Sequence, residues 1–106
     1  MGKNSVIKSI GKNLGNAIAH KIVSKYTNIP DSANHMRNEA VEYRDNAMKI
    51  AKEFNWNQDD KEEIKKEVLK NFNSRMKKKY TDVKFPIEEA NKLIDEEVSK
   101  ACGYIL

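Results

Sequence analysis

Glycine is scarce in this chain and badly placed for β-structure. The four glycines stand at positions 2, 11, 15 and 103, so residues 16–102 contain none. Tight hairpins and bulged strands rely on glycine, and a phosphate-cradling glycine-rich loop cannot be placed in such a stretch. Proline occurs only at 30 and 86. Cys102 is the one cysteine, which excludes an internal disulfide and leads to the expectation of a reducing, cytoplasmic setting. No apolar run approaches the roughly 18 residues of a membrane-spanning helix. Arginine is rare as well, 3 residues against 17 lysines. Sequence-specific reading of base edges depends heavily on the bidentate guanidinium, so this ratio argues against it.

Charge is abundant but uneven. Residues 1–30 carry five lysines and no acid; residues 31–60 carry four basic and seven acidic side chains; residues 61–106 carry eleven and nine. The net +4 of the 106 residues therefore originates mainly in the N-terminal segment. A chain of this length is expected to form a single domain with a modest core, spanning residues 1–106, with a basic segment 1–30 that docks on the bundle or on a partner.

What the sequence does contain is helical periodicity. Ile7, Ile10, Leu14, Ile18 and Ile22 recur at spacings of three and four and predict a helix over 5–26, with Asn4 or Ser5 as its cap. A second helix is expected over 32–55, capped by Asp31 or Ser32. Its seam of Ala33, Met36, Ala40, Tyr43, Ala47, Ile50 and Phe54 alternates spacings of three and four. The third, over 59–79, opens on Asp59 and Asp60 with Glu62 and Glu63 three residues on. Its apolar side is Ile64, Val68, Leu69, Phe72 and Met76. The fourth, over 86–102, has Pro86 in its first turn, a stripe of Ile87, Ala90, Leu93, Ile94, Val98 and Ala101, and Gly103 at its C-terminal cap. The expectation is an all-α bundle of four amphipathic helices.

Chemistry is harder to find. Residues 55–67 resemble a calcium loop only in Asn55, Asn57 and Asp59; Asp60 stands where the turn needs glycine, and Lys66 where a bidentate carboxylate closes the site. His35, Glu39 and Glu42 share adjacent turns, but on the solvent side of the seam, where surface pairing accounts for them. His20 projects away from the apolar stripe of its helix and has no acidic or cysteine partner in its own segment. Cys102 has no local histidine. The Met1-Gly2 start lacks the Ser or Thr at residue 6 that myristoylation requires. The acid-free first segment has no arginine, against an organellar transit peptide. No catalytic, metal or cofactor constellation emerges, and a non-enzymatic protein is expected.

Two features point to association. Gly11, Gly15 and Ala19 lie four apart on one edge of the first helix, where a backbone can approach closely. The lysines and asparagines around them exclude a spanning helix. The alanines of the second seam admit a close neighbour in the same way. Helix-mediated self-association, as a homodimer or with another helical protein, is the reading these faces support. Two alternatives follow from charge. Lys70, Arg75, Lys77, Lys78 and Lys79 suit non-specific contact with nucleic-acid phosphates, and the basic amphipathic segment 1–30 suits an anionic membrane surface.

Overall fold

Helix α1 (Lys3–Tyr26) is the spine on which α2 (Pro30–Ala51), α3 (Gln58–Lys79) and α4 (Ile87–Ala101) assemble. The computed structural model describes residues 3–27 and 30–103, and no strand occurs among them. The architecture is the all-α, four-helix bundle that the periodicity predicts. α2 and α3 lie against α1, and among the described residues they make no close main-chain approach to each other. α4 packs more sparsely, on α3, α1 and α2.

The central position of α1 follows from its composition. Ile10, Leu14, Ile18 and Ile22 are essentially inaccessible on one side, Gly11, Gly15 and Ala19 are buried on another, and Asn16 and His20 on a third. A helix buried on three sides, with Lys8, Lys12, Lys21 and Lys25 left exposed, cannot be strongly amphipathic. The rest of the core comes from Ile64, Val68 and Phe72 of α3 and from Ile94 and Val98 of α4, with Phe85 set edge-on to Phe72 at 5.7 Å. Ala33, Ala40, Ala47 and Ala51 of α2 are all buried.

Several boundaries differ from expectation. α1 begins at Lys3, so Asn4 and Ser5 lie within it, and its cap falls outside the described residues. α2 begins at Pro30, whose fixed φ and missing N–H suit a first helical position, so Asp31 and Ser32 fall inside the helix. It ends at Ala51 rather than near residue 55, closing in tight turns from Glu53 to Ile50 and from Phe54 to Ala51. The indole N–H of Trp56 donates to the Ala51 carbonyl at 2.9 Å and caps that end. α3 is capped by Asn57, two residues before Asp59. The Asn57 side chain accepts from the Asp60 N–H at 2.8 Å, and the Asp60 carboxylate accepts from the Asn57 N–H at 3.2 Å. Pro86 is the N-cap of α4 rather than a first-turn residue, without a side-chain cap; Glu88 and Glu89 occupy the first turn. Gly103 follows that helix with φ of +79°, the left-handed cap conformation expected of it.

Two apolar residues assigned to buried stripes are exposed: Leu69 at 38% and Ile87 at 52%. Leu69 is one residue, about 100° of helix, past the buried Val68. Ile87 is the first residue of α4, at the end of its packed stretch.

Candidate functional site

The splay of α4 from α2 opens a groove of about 840 Å³ whose floor is α1. Each helix offers one face to it, by the spacing of three and four that aligns side chains along a helix. Leu14, Ala17, Ile18, Lys21, Ile22 and Lys25 come from α1, Arg37, Ala40, Val41 and Arg44 from α2, and Glu89, Lys92, Leu93, Glu96, Glu97 and Lys100 from α4. The floor is aliphatic but closed, with Leu14, Ile18 and Ile22 at most 2% exposed, so Val41 and the half-buried Leu93 carry the accessible apolar surface, and the lips are charged. Val41 stands 58% exposed on the α2 lip, between the two arginines.

Two of the three acids on the lips are already engaged. Glu97, almost fully buried, receives the Arg44 Nε–H at 2.8 Å and ties α4 to α2. Glu89 accepts from both the Lys25 ammonium and the Tyr26 hydroxyl and ties α4 to α1. The Lys25 and Tyr26 donors hold the Glu89 carboxyl below its ordinary range, and the Glu89 carboxylate in turn raises Lys25 and Tyr26. Glu96 is thus set against Lys21, Arg37, Lys92 and Lys100. Among the described residues the three lysines have no ion-pair partner, and Arg37 bonds only the Asn34 side-chain oxygen, at 2.5 Å.

A second polar group lies on the other side of α1. His20 is 1% exposed, its ring 5.4 Å from that of Tyr43 and edge-on to that of Tyr80 at 6.3 Å. Its Nδ1–H faces the Asn16 carbonyl at 2.7 Å, and its Nε2 lies 2.8 Å from Oε2 of Glu39. A carbonyl accepts only, so Nδ1 carries a hydrogen. The other oxygen of Glu39 meets Nε2 of His35 at 2.9 Å. His20 thus finds outside its own segment the partner that the segment lacks. Its acid partner comes from α2, and the ring is buried because α1 is covered on its polar face as well. Glu42 stays exposed, and no group of three or more potential metal ligands occurs among the described residues.

The residues singled out for association are occupied inside the molecule. Gly11 and Gly15 face α3. A Cβ on Gly11 would overlap that of Glu67, and one on Gly15 would sit 2.7 Å from the Asn71 Cβ and 3.0 Å from the Phe72 nitrogen and the Val68 oxygen. Ala19 is fully buried. Ala33, Ala40 and Ala47 are buried, and Met36, Tyr43, Ile50 and Phe54 are half-buried, with Tyr43 against His20 and Phe54 5.6 Å from Trp56. Of the basic cluster, Lys70, Lys77, Lys78 and Lys79 are exposed, whereas Arg75 is half-buried with its Nε unpartnered among the described residues. Tyr80 turns inward and donates its hydroxyl to the Met36 sulfur at 3.6 Å, so it offers no stacking platform beside the lysines. Cys102 is half-buried, and burial raises its thiol above the ordinary value. No helix among the described residues is long and apolar enough to cross a membrane.

Of the groove-lining residues the sequence reading singled out Ala40 for association and placed Leu14, Ile18, Ile22 and Leu93 on apolar stripes; the charged lips escaped it, yet Glu97 carried a signal. Ile87, Ala90, Ile94, Glu97 and Ala101 follow the spacing 3-4-3-4, which puts a carboxylate at a position the apolar pattern reserves. Compared with known proteins, the chain matches no family model, no curated protein and no solved structure.

Proposed function

We propose that this protein is a non-enzymatic helical interaction module whose docking face is the groove between α2 and α4. The observation that carries the reading is the groove itself: three helices present aligned faces to one aliphatic floor, with Val41 exposed on its lip. α3 packs against the glycine edge and the core covers Ala33 and Ala47, while Ala40 lines the groove itself, so the groove is the face on which this reading places self-association or another helical partner. Static light scattering across a concentration series reads that directly, as twice the 12.2 kDa chain mass or as the chain mass alone.

Docking itself is tested by methyl NMR titration with amphipathic helical peptides bearing acidic, neutral or basic flanks. Resonances of Val41, Leu93 and Ile18 are expected to shift with at least one peptide, while Leu69, exposed on α3, stays fixed. A panel that moves none of the groove methyls sinks the reading.

A further inference from the structure

We infer that the occupant of the groove is an acid-bearing amphipathic helix of another protein: about three turns, with aliphatic residues at i, i+3 or i+4, and i+7, and Asp or Glu flanking that stripe. The inference rests on the docking reading above and adds the chemistry of the partner. Length is the first argument. The α4 lip runs from Glu89 to Lys100, eleven residue steps or about 17 Å, which is the length of three helical turns. Recognition of a helix in a groove uses just such a line of aliphatic anchors.

Charge complementarity is the second. With Lys25 held by Glu89 and Arg44 by Glu97, the lips keep Lys21, Arg37, Lys92 and Lys100 against Glu96 alone. These cations are spread over all three helices. Lys92 and Lys100 stand eight residues apart, about 12 Å along α4. Arg37 lies on the opposite lip, and Lys21 on the floor helix. A single carboxylate head group reaches one or two of them and leaves the others unmatched. A helix with acids on both flanks of its apolar stripe meets both lips while covering the floor.

The other occupants fit less well. Among the described residues no aromatic side chain lines the groove, so nucleic acid finds phosphate partners there but no stacking surface, and Val41 and Leu93 stay uncovered. A bilayer surface is too broad to enter between α2 and α4. A second copy brings its own net charge of +4 to a lip already in cationic excess.

The test is fluorescence anisotropy with three labelled 14-residue peptides: a leucine stripe with Glu flanks, the same stripe with Lys flanks, and the acidic composition scrambled to destroy the stripe. The acidic amphipathic peptide is expected to bind at least tenfold more tightly than either control, and its affinity to fall as salt rises. The double variant Lys92→Glu/Lys100→Glu, at two exposed positions, is expected to weaken that binding tenfold or more, to improve binding of the Lys-flanked peptide, and to leave the circular dichroism unchanged. Equal binding of the two striped peptides overturns the acidic partner and leaves docking standing. Binding of none overturns both. Binding of the protein to phosphatidylglycerol vesicles that the double variant abolishes, with no peptide bound, overturns the inference in favour of a lipid surface.

Discussion

A glycine inside a helix ordinarily costs about 1 kcal/mol relative to alanine, and α1 carries two. Their reason is the approach of α3: the nearest atoms to the missing Cβ of Gly15 are the Cβ of Asn71 and the backbone of Val68 and Phe72, none of which can swing aside. Gly15→Ala is therefore expected to destabilise the protein, the overpacking of about 1–3 kcal/mol outweighing the gain in helix propensity. Urea denaturation measures the sign. A stabilised variant would place α3 farther from α1 than described. The spacing Gly11, Gly15, Ala19 is legible in the sequence as a thin helix edge, but which backbone fills it is not, because α3 lies some fifty residues away. His20 and Glu97 show the converse. Each is polar, each is buried, and each is matched by a residue of another helix, Glu39 and Arg44. Local pattern assigns such residues to the surface because burying a charge without a partner is prohibitive, and the partner is invisible until the helices are packed.

At the scale of elements, the four helices and their approximate extents follow from the apolar period, whereas their ends depended on which of several adjacent polar residues took the cap. Asn57, Asp59 and Asp60 are all capable, and the backbone turns extended at Asn57, with ψ near 180°. Asn57→Ala is expected to cost about 1 kcal/mol, read as a lowered thermal midpoint, while Asp59→Ala, within the exposed first turn, costs less than half of that. A larger effect at Asp59 would return the cap to the residue the sequence suggested. Trp56 belongs to the same connection: its indole closes the end of α2 on the Ala51 carbonyl, and the Lys3 ammonium stands 5.3 Å from its ring centre. The short connection between α2 and α3 thus joins three helices.

For the molecule as a whole, α4 is held by Glu89 and Glu97 as well as by its apolar stripe, and the Glu89 tie makes its docking sensitive to pH. The Glu89 carboxyl lies below its ordinary 4.5, and Asp60, bonded by Lys3 and by the Asn57 N–H, below its ordinary 3.8. Depressed folded values mean that both contributions are complete above the ordinary values and are lost as pH falls through the depressed ones. The raised Lys25 works in the opposite direction: its contribution is complete below 10.5 and is lost as pH rises through its folded value. Tyr26, raised from 10.0, behaves like Lys25, so thermal midpoints are expected to be level between about 4.5 and 10.0 as far as the α1–α4 tie is concerned, and to decline on the acid side. Glu89→Gln is expected to flatten that acid decline. Because Lys25 is exposed and Glu89 and Asp60 are only half-buried, the effect is modest and fades at high salt.

Helix number, approximate helix extents and the all-α class were determined by the chain alone, because a helix records its buried face within a few turns of its own sequence. The tertiary structure decided what lies between those faces: that the basic first helix is the spine rather than an arm, that the alanine and glycine edges close inside the molecule, and that α4 leans away from α2 far enough to leave a groove. Those outcomes depend on distances between helices, which arise from the fit of side chains tens of residues apart. No local period encodes them.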